Sequence, residues 1–296
     1  MNPFVYIGLL LLTTFFMGSA FPIGKIGLSY APPFFLMGIR FLIAGFLLSL
    51  FVIKRSQPQS LKQWLQIIII GLFQSTVVLG CAYYSMNWIR SGESAIIIFT
   101  SPLLVIILSS LFLGKSYRFA QWFGVVVGII GVVVIFGLQL SFQVGTLIGI
   151  VGAISFAIAT LLVKRWGASF DQMVLNAYQM IASSIFFFII SACVEQPHLE
   201  MNRTSLFVIL YLALFSSIGQ FSLWFYLLKN GDPAKTSAFL FLAPLFGVLS
   251  SWFLLHEPLT MYTGIGGLLI CIGIFLINWQ RNQSLSPSME EKLAAH

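Results

Sequence analysis

Long apolar runs dominate this chain, and the breaks between them are too short to hold a folded soluble domain. A helix needs roughly 20 largely apolar residues to cross the hydrocarbon layer of a bilayer. Ten stretches meet that need. The first five are Val5–Ile23, Phe34–Ile53, Trp64–Asn87, Ser94–Leu113 and Phe119–Leu138. The second five are Gly145–Val163, Met173–Val194, Leu206–Leu228, Ser237–Leu255 and Met261–Trp279. Only 8% of the residues are charged and 59% are hydrophobic, whereas ordinary soluble domains carry about a quarter charged residues. So few charges cannot clothe a water-facing surface, and most of the exterior must face lipid.

The runs lack the two-residue alternation of barrel strands, so they read as helices. Helix-ending chemistry marks the breaks: Ala31-Pro32-Pro33, Ser56-Gln57-Pro58, Gln196-Pro197, Gly231-Asp232-Pro233 and His256-Glu257-Pro258. The expected fold is an all-α integral membrane protein of ten transmembrane helices. The first run has no charged head and is long enough to span, so it reads as a retained helix. Cys81, Cys193 and Cys271 lie in or at the end of apolar runs without a Cys-x-x-Cys pairing. They read as small core residues. Asn202-Arg203-Thr204 matches a glycosylation acceptor, a three-residue pattern with little specificity.

A net charge of +7 would suggest a nucleic-acid partner in a soluble protein. Here the basic residues sit between apolar runs, where they orient helices, and no nucleic acid is expected. With both termini inside, the cytoplasmic side receives Lys54, Arg55, Lys62, Lys115, Arg118, Lys164, Arg165, Lys229, Lys235, Arg281 and Lys292. The other side receives Lys25, Arg90 and Arg203. This asymmetry predicts a multi-pass protein of the cell membrane with cytoplasmic termini.

Shifting the chain by 142 residues places Pro102 on Pro244, Ser109 on Ser251, Gly124 on Gly266 and Gly131 on Gly273. Tyr84 falls on Tyr226. A slightly smaller offset aligns Gly8 with Gly149, Phe15 with Phe156, Lys25 with Lys164 and Arg40 with Gln179. The chain divides accordingly into a first repeat at 1–140, a second at 141–280 and a tail at 281–296. Each repeat holds an odd number of spans, so the second enters the membrane from the opposite side. Inverted repeats recur in secondary transporters, where two opposed bundles can exchange conformations.

The run from Tyr83-Tyr84 through Arg90-Ser91-Gly92-Glu93-Ser94-Ala95, followed by Ser101-Pro102-Leu103, resembles one repeat of the EamA-type drug/metabolite transporters. Its partner runs from Phe225-Tyr226 through Gly231-Asp232-Pro233 to Leu242-Ala243-Pro244-Leu245. Leu254-Leu255-His256-Glu257-Pro258, the Gly264–Gly273 ending, Gly18-Ser19-Ala20-Phe21, Lys25 and Arg40 extend the resemblance over essentially the whole chain. It implies two five-helix repeats and export or import of metabolites, amino acids or drugs through a central cavity. Two positions depart from the pattern: Gly114-Lys115 stands where the first repeat often has a glutamate, and Met17-Gly18 where Trp-Gly is common.

Several polar residues inside the runs are candidates for contact with a solute. Arg40 reads as an anchor for a substrate carboxylate, as a lock on one conformation, or as a snorkelling arginine reaching headgroups. Gln74, Asn176, Gln179 and Gln220 lie in apolar runs and must face inward, because lipid offers an amide no partner. They line a pocket or bond between helices. Tyr83, Tyr84, Trp88 and Trp224 offer aromatic surface to a solute, and an interfacial belt accounts equally for Trp88. Glu93 and Lys235 fall on each other under the repeat shift and form candidate gates of unlike sign, or simply solvated helix ends. Pro102 and Pro244 are expected to kink the fourth and ninth helices, as a fixed bend or as hinges. Small-residue stripes at Gly145, Gly149, Ala153 and Ala157, and at Gly124 and Gly128, pack helices within the chain or across a homodimer.

An intramembrane enzyme would need paired aspartates, a His-Glu-x-x-His site or a serine with a buried base. The histidines, His198, His256 and His296, all lie in breaks or the tail. No enzyme, cofactor or metal is expected, and nothing resembles a filter loop. The sequence therefore predicts a secondary transporter, an exporter, of small metabolites such as amino acids or of drugs, working by alternating access. The alternative is a non-transport membrane protein such as an intramembrane enzyme or receptor.

Overall fold

The computed structural model describes residues 3–89, 94, 97–114, 117–135, 143–255 and 261–278, and among these there are helices and connections but no strand. Helices α1 (Pro3–Gly27) and α2 (Pro33–Val52) precede a helix in three parts: α3 (Leu61–Gly71), a π-helical segment (Leu72–Val77) and α4 (Val78–Ser85). Then come α5 (Ser101–Leu113), α6 (Phe119–Ile135), α7 (Val144–Trp166) and α8 (Gln172–Val194). A second three-part helix follows: α9 (Arg203–Ala213), a π-helical segment (Leu214–Gly219) and α10 (Gln220–Asn230). Finally α11 (Pro233–Ala238) runs through a 3-10 turn (Phe239–Phe241) into α12 (Leu242–Leu255), and α13 (Met261–Asn278) closes the fold.

Seven helical stretches among the described residues are long and apolar enough to cross a membrane: Phe4–Gly27, Pro33–Val52, Leu61–Ser85, Val144–Ser169, Gln172–Val194, Arg203–Asn230 and Lys235–Leu254. Three further apolar helices, Ser101–Phe112, Phe119–Val134 and Gly264–Ile277, are shorter. In the fourth expected span Ser94, Ile97 and Ile98 are helical, a turn follows at Phe99 and Thr100, and helix α5 begins at Ser101 with Pro102 in its first turn. There a missing N–H costs nothing, because first-turn donors have no intrahelical acceptor. Gly114, in the left-handed region at φ 62°, ends α5 by donating its N–H to the Ser109 carbonyl.

Pro244 likewise occupies the first turn of α12, directly after the 3-10 turn. Both prolines thus stand beside a local irregularity, Pro102 after the turn at Phe99 and Thr100 and Pro244 after the 3-10 turn, and each falls in a first turn, where proline fits.

The two three-part helices are built alike. Ser60 caps α3 by accepting from the Gln63 N–H, and Asn202 caps α9 by accepting from the Ser205 N–H at 2.8 Å; both are reciprocal capping boxes. The cap explains Asn202 without any glycan. Caps and π-helical segments both recur 142 residues apart. π-helical turns are rare and concentrate at functional sites.

Glycine allows close helix contact. A methyl group on Gly124 of α6 would stand 2.8 Å from the Gly273 carbonyl oxygen of α13, and one on Gly131 would stand 2.7 Å from that of Gly266. The two contacts exchange under the 142-residue shift. Such backbone approach replaces the hydrophobic drive that lipid does not supply. The small-residue stripes also pack inside the chain: Gly145 meets the Ser85 carbonyl, Gly149 meets Ile97, Gly128 meets the Phe241 ring, and Ala153 and Ala157 are buried.

Connections gather at two ends. At one, Arg55 pairs with Asp171 at 2.8 Å, Tyr6 bonds Thr236 at 2.7 Å, and the Lys164 ammonium donates to the Gly231 carbonyl at 2.6 Å and the Leu228 carbonyl at 3.1 Å. Lys164 so satisfies carbonyls at the end of α10. At the other, the Glu195 carboxylate accepts the Phe34 and Phe35 N–H groups at the start of α2, and the Glu200 N–H donates to the Tyr30 carbonyl.

Two predictions follow from this packing. Gly124→Val should destabilise the protein by about 1–3 kcal/mol, since the added carbons overpack a backbone contact, and thermal unfolding in detergent will show it. Asp171 sits beyond the spans; its burial alone would raise its pKa, but bonds from Arg55 and the Val174 and Met173 amides more than offset this and hold it below the ordinary 3.8. A depressed folded-state pKa contributes stability above the unfolded value and loses it as pH falls through the folded one. Asp171→Asn should therefore reduce the unfolding temperature near neutrality and flatten its fall below about pH 4.

Candidate functional site

Arg40 projects from the second turn of α2 into the interior and is 1% exposed. Its Nε donates to the Ser217 hydroxyl at 2.6 Å, one Nη donates to the Ser216 carbonyl, and the other reaches only the Met37 sulfur at 3.8 Å. The Phe41 ring lies 5.3 Å from the guanidinium carbon, and the Tyr83 hydroxyl, which donates to the Ala20 carbonyl at 3.0 Å, interacts with it electrostatically. Ser216 and Ser217 belong to the second π-helical segment. Its wider turn breaks the regular backbone ladder, freeing a carbonyl that the guanidinium takes up. The described acidic residues are Asp171, Glu195, Glu200 and Asp232, and none is a partner of Arg40.

Beside the guanidinium lies a small, partly open cavity. Its polar lining comes from Arg40, Gln74, Tyr83, Ser101 and Gln220, and Met17, Phe21, Phe99, Phe156 and Phe221 make its apolar wall. Helices from both ends of the sequence therefore contribute. Gln74 lies in the first π-helical segment, Ser101 opens α5, and Gln220 opens α10. The Gln74 Oε1 and Ser101 Oγ atoms are buried without a hydrogen-bond partner. A buried polar atom left so costs free energy, so these atoms are poised for a partner that enters the cavity.

The structure therefore brings together Arg40, Gln74, Tyr83 and Gln220 from the sequence-derived set. Asn176, Gln179 and Trp224 lie elsewhere. Ser75 donates to Gln179 Oε1 at 2.8 Å, Gln179 Nε2 donates to Asn176 Oδ1 at 3.1 Å, and Asn176 Nδ2 donates to the Ser222 hydroxyl at 2.8 Å. This chain ties the first π-helical segment to α8 and α10. Trp224 is fully buried and packs on Phe156, with ring centroids 5.6 Å apart. Trp88 is 41% exposed and meets Tyr84 edge to face.

Of the expected gate, Glu93 lies outside the described residues. Lys235 is half-buried on α11, its N–H donating to the Asp232 carboxylate at 3.2 Å, and it does not line the cavity. Sequence reasoning overlooked Ser216, Ser217 and Ser101 as site residues. Their signal was adjacent hydroxyls in an apolar run and a hydroxyl just before Pro102. No cluster of His, Cys, Asp and Glu among the described residues is placed to hold a metal.

The chain matches the model of the EamA-like transporter family twice, over residues 4–137 and 143–279. It is 31% identical to the uncharacterized transporter YvbV of Bacillus subtilis (strain 168) over 268 residues, covering 88% of this chain and 87% of the relative. An uncharacterized transporter of Archaeoglobus fulgidus is 27% identical, covering 90% of this chain and 96% of the relative. The uncharacterized inner membrane transporter YedA of Escherichia coli (strain K12) is 29% identical over 84% and 79%. A solved crystal structure shares the fold at a TM-score of 0.78 and 19% identity, covering 92% of this chain and 96% of its own. The buried polar cavity and these matches lead to one conclusion: the chain belongs to the EamA-like transporter family and is a multi-pass membrane transporter.

Proposed function

We propose that this protein is a secondary transporter that carries small metabolites across the plasma membrane by alternating access, with the cavity beside Arg40 as its binding chamber. The observation that carries this reading is the cavity's set of buried polar groups around Arg40, with the Gln74 and Ser101 oxygens lacking a partner there. Polar groups at membrane depth are costly and mark solute pathways. The aromatic wall suits a solute with an apolar body, such as an amino acid, a related compound or a drug.

Ten spans in two inverted five-helix repeats, with both termini cytoplasmic, complete the proposed architecture. The recurring caps and π-helical segments support it, as do the reciprocal glycine contacts. The grouping of the basic connections at one end supports the orientation. Opposed bundles can then rock about the chamber, with the Pro102 and Pro244 breaks as flexible points. The described acidic residues all lie at helix ends or in connections. Flux is accordingly proposed to follow the solute gradient, which for a metabolite made inside the cell means export.

Purified protein in liposomes, tested against a panel of labelled metabolites with and without a pH gradient, examines this reading. Saturable uptake restricted to protein-containing vesicles is the expected result; no uptake of any panel member would remove the transport assignment for such solutes. Gln74→Leu should weaken apparent solute affinity about tenfold while unfolding as the parent does. Gln179→Leu should instead destabilise the fold by about 1–2 kcal/mol, since it breaks the interhelical chain.

A further inference from the structure

The cross-helix bonds at the two π-helical segments form a matched pair with one difference. Arg40 of α2 reaches Ser217 in the second segment, and Gln179 of α8 is bonded by Ser75 in the first. Ser75 and Ser217 are 142 residues apart, and Arg40 aligns with Gln179 in the repeat. Each bond pins a π-helical segment to a helix of the opposite half. Gln179 is neutral and each end of its amide has a partner, whereas Arg40 is a cation beside a cavity. A latch of this kind therefore works without charge.

Burying a charge is expensive and demands another reason. Arginine keeps its charge at physiological pH and offers a planar fork suited to carboxylates. Beside the Tyr83 hydroxyl, its present acceptors are the Ser217 hydroxyl, a carbonyl and a weakly accepting thioether, all neutral and poorer partners for a guanidinium than an anion.

We propose that Arg40 recognises the anionic group of the transported solute and exchanges its Ser217 and Ser216 bonds for it, so that the arriving anion unpins the second π-helical segment. The proposal rests on the chamber assigned above and names its substrate class: a small carboxylate with an apolar or aromatic body. Phe21, Phe99 and Phe221 receive that body, and Gln74 Oε1 and Ser101 Oγ meet any donor it carries. Charge on the solute is thereby read by the same residue that holds the helix in place.

The test compares two nearly isosteric probes, N-acetylphenylalanine and its neutral amide, binding to the full chain in lipid nanodiscs by calorimetry. The expected result is that the acid binds about tenfold or more tightly than the amide. Arg40→Gln, which copies the residue of the matching latch, should erase that preference, so that the acid binds no more tightly than the amide. Arg40→Lys should keep the preference with weaker acid binding, and it carries the test if the glutamine variant misfolds. Ser217→Ala, which removes a competing acceptor, should tighten acid binding a few-fold.

Equal binding of both probes by the parent, or undiminished acid preference in Arg40→Gln, would overturn the proposal. So would a loss of acid binding in Ser217→Ala. Any of these results alongside saturable uptake of other solutes in liposomes would leave the transporter reading standing.

Discussion

Lipid tails offer no hydrogen-bond partner, and every polar group in this protein is placed under that constraint. Backbone groups are satisfied by helices, and helix ends by devices such as the Ser60 and Asn202 capping boxes, the Glu195 carboxylate at the start of α2 and the Lys164 ammonium at the end of α10. Side chains obey the same rule. Asn176, Gln179 and Ser183 find partners on neighbouring helices. Gln74 Oε1 and Ser101 Oγ do not, and neither do atoms such as Thr76 Oγ1, Trp224 Nε1 and Ser237 Oγ; the first two lie against a cavity. A group left unpaired in such an interior is therefore informative, because the membrane makes it costly to keep.

The same constraint gives the π-helical segments their importance. Widening a turn releases backbone groups from the regular ladder, and something must take them up. In the second segment Arg40 does so by accepting nothing and donating to the Ser216 carbonyl and the Ser217 hydroxyl. Around the first, Ser155 donates to the Phe73 carbonyl and Ser183 to the Gly71 carbonyl. Irregular backbone is thus confined to places where the opposite half of the chain supports it. Close glycine contacts join α6 to α13, and another lies beside the first segment, where a methyl group on Gly71 would stand 2.7 Å from the Gln179 carbonyl.

Much of the candidate site was visible before any coordinates. Arg40, Gln74, Tyr83 and Gln220 stood out as polar or amphipathic groups inside apolar runs, and all four line one cavity. Asn176 and Gln179 stood out for the same reason and turned out to bond each other, since an inward amide can meet a cavity or a neighbouring helix. Periodicity tells which way a side chain faces along its own helix but not what stands opposite. Pro102 and Pro244 show the same limit. Their equivalence was readable, but their place in first turns depended on where the preceding chain changed path.

The sequence by itself determined the solvent. Long apolar runs with few charges require lipid around them, lipid requires helices, and proline and glycine in common order disclose the repeat. Tertiary structure alone decided which polar groups pair and which stay open, because that depends on distances between helices far apart in sequence. Ser217 and Arg40 are separated by 177 positions along the chain yet lie 2.6 Å apart. No local pattern encodes such a meeting; it is set when the helices pack and each buried group takes whatever partner the neighbouring helix presents.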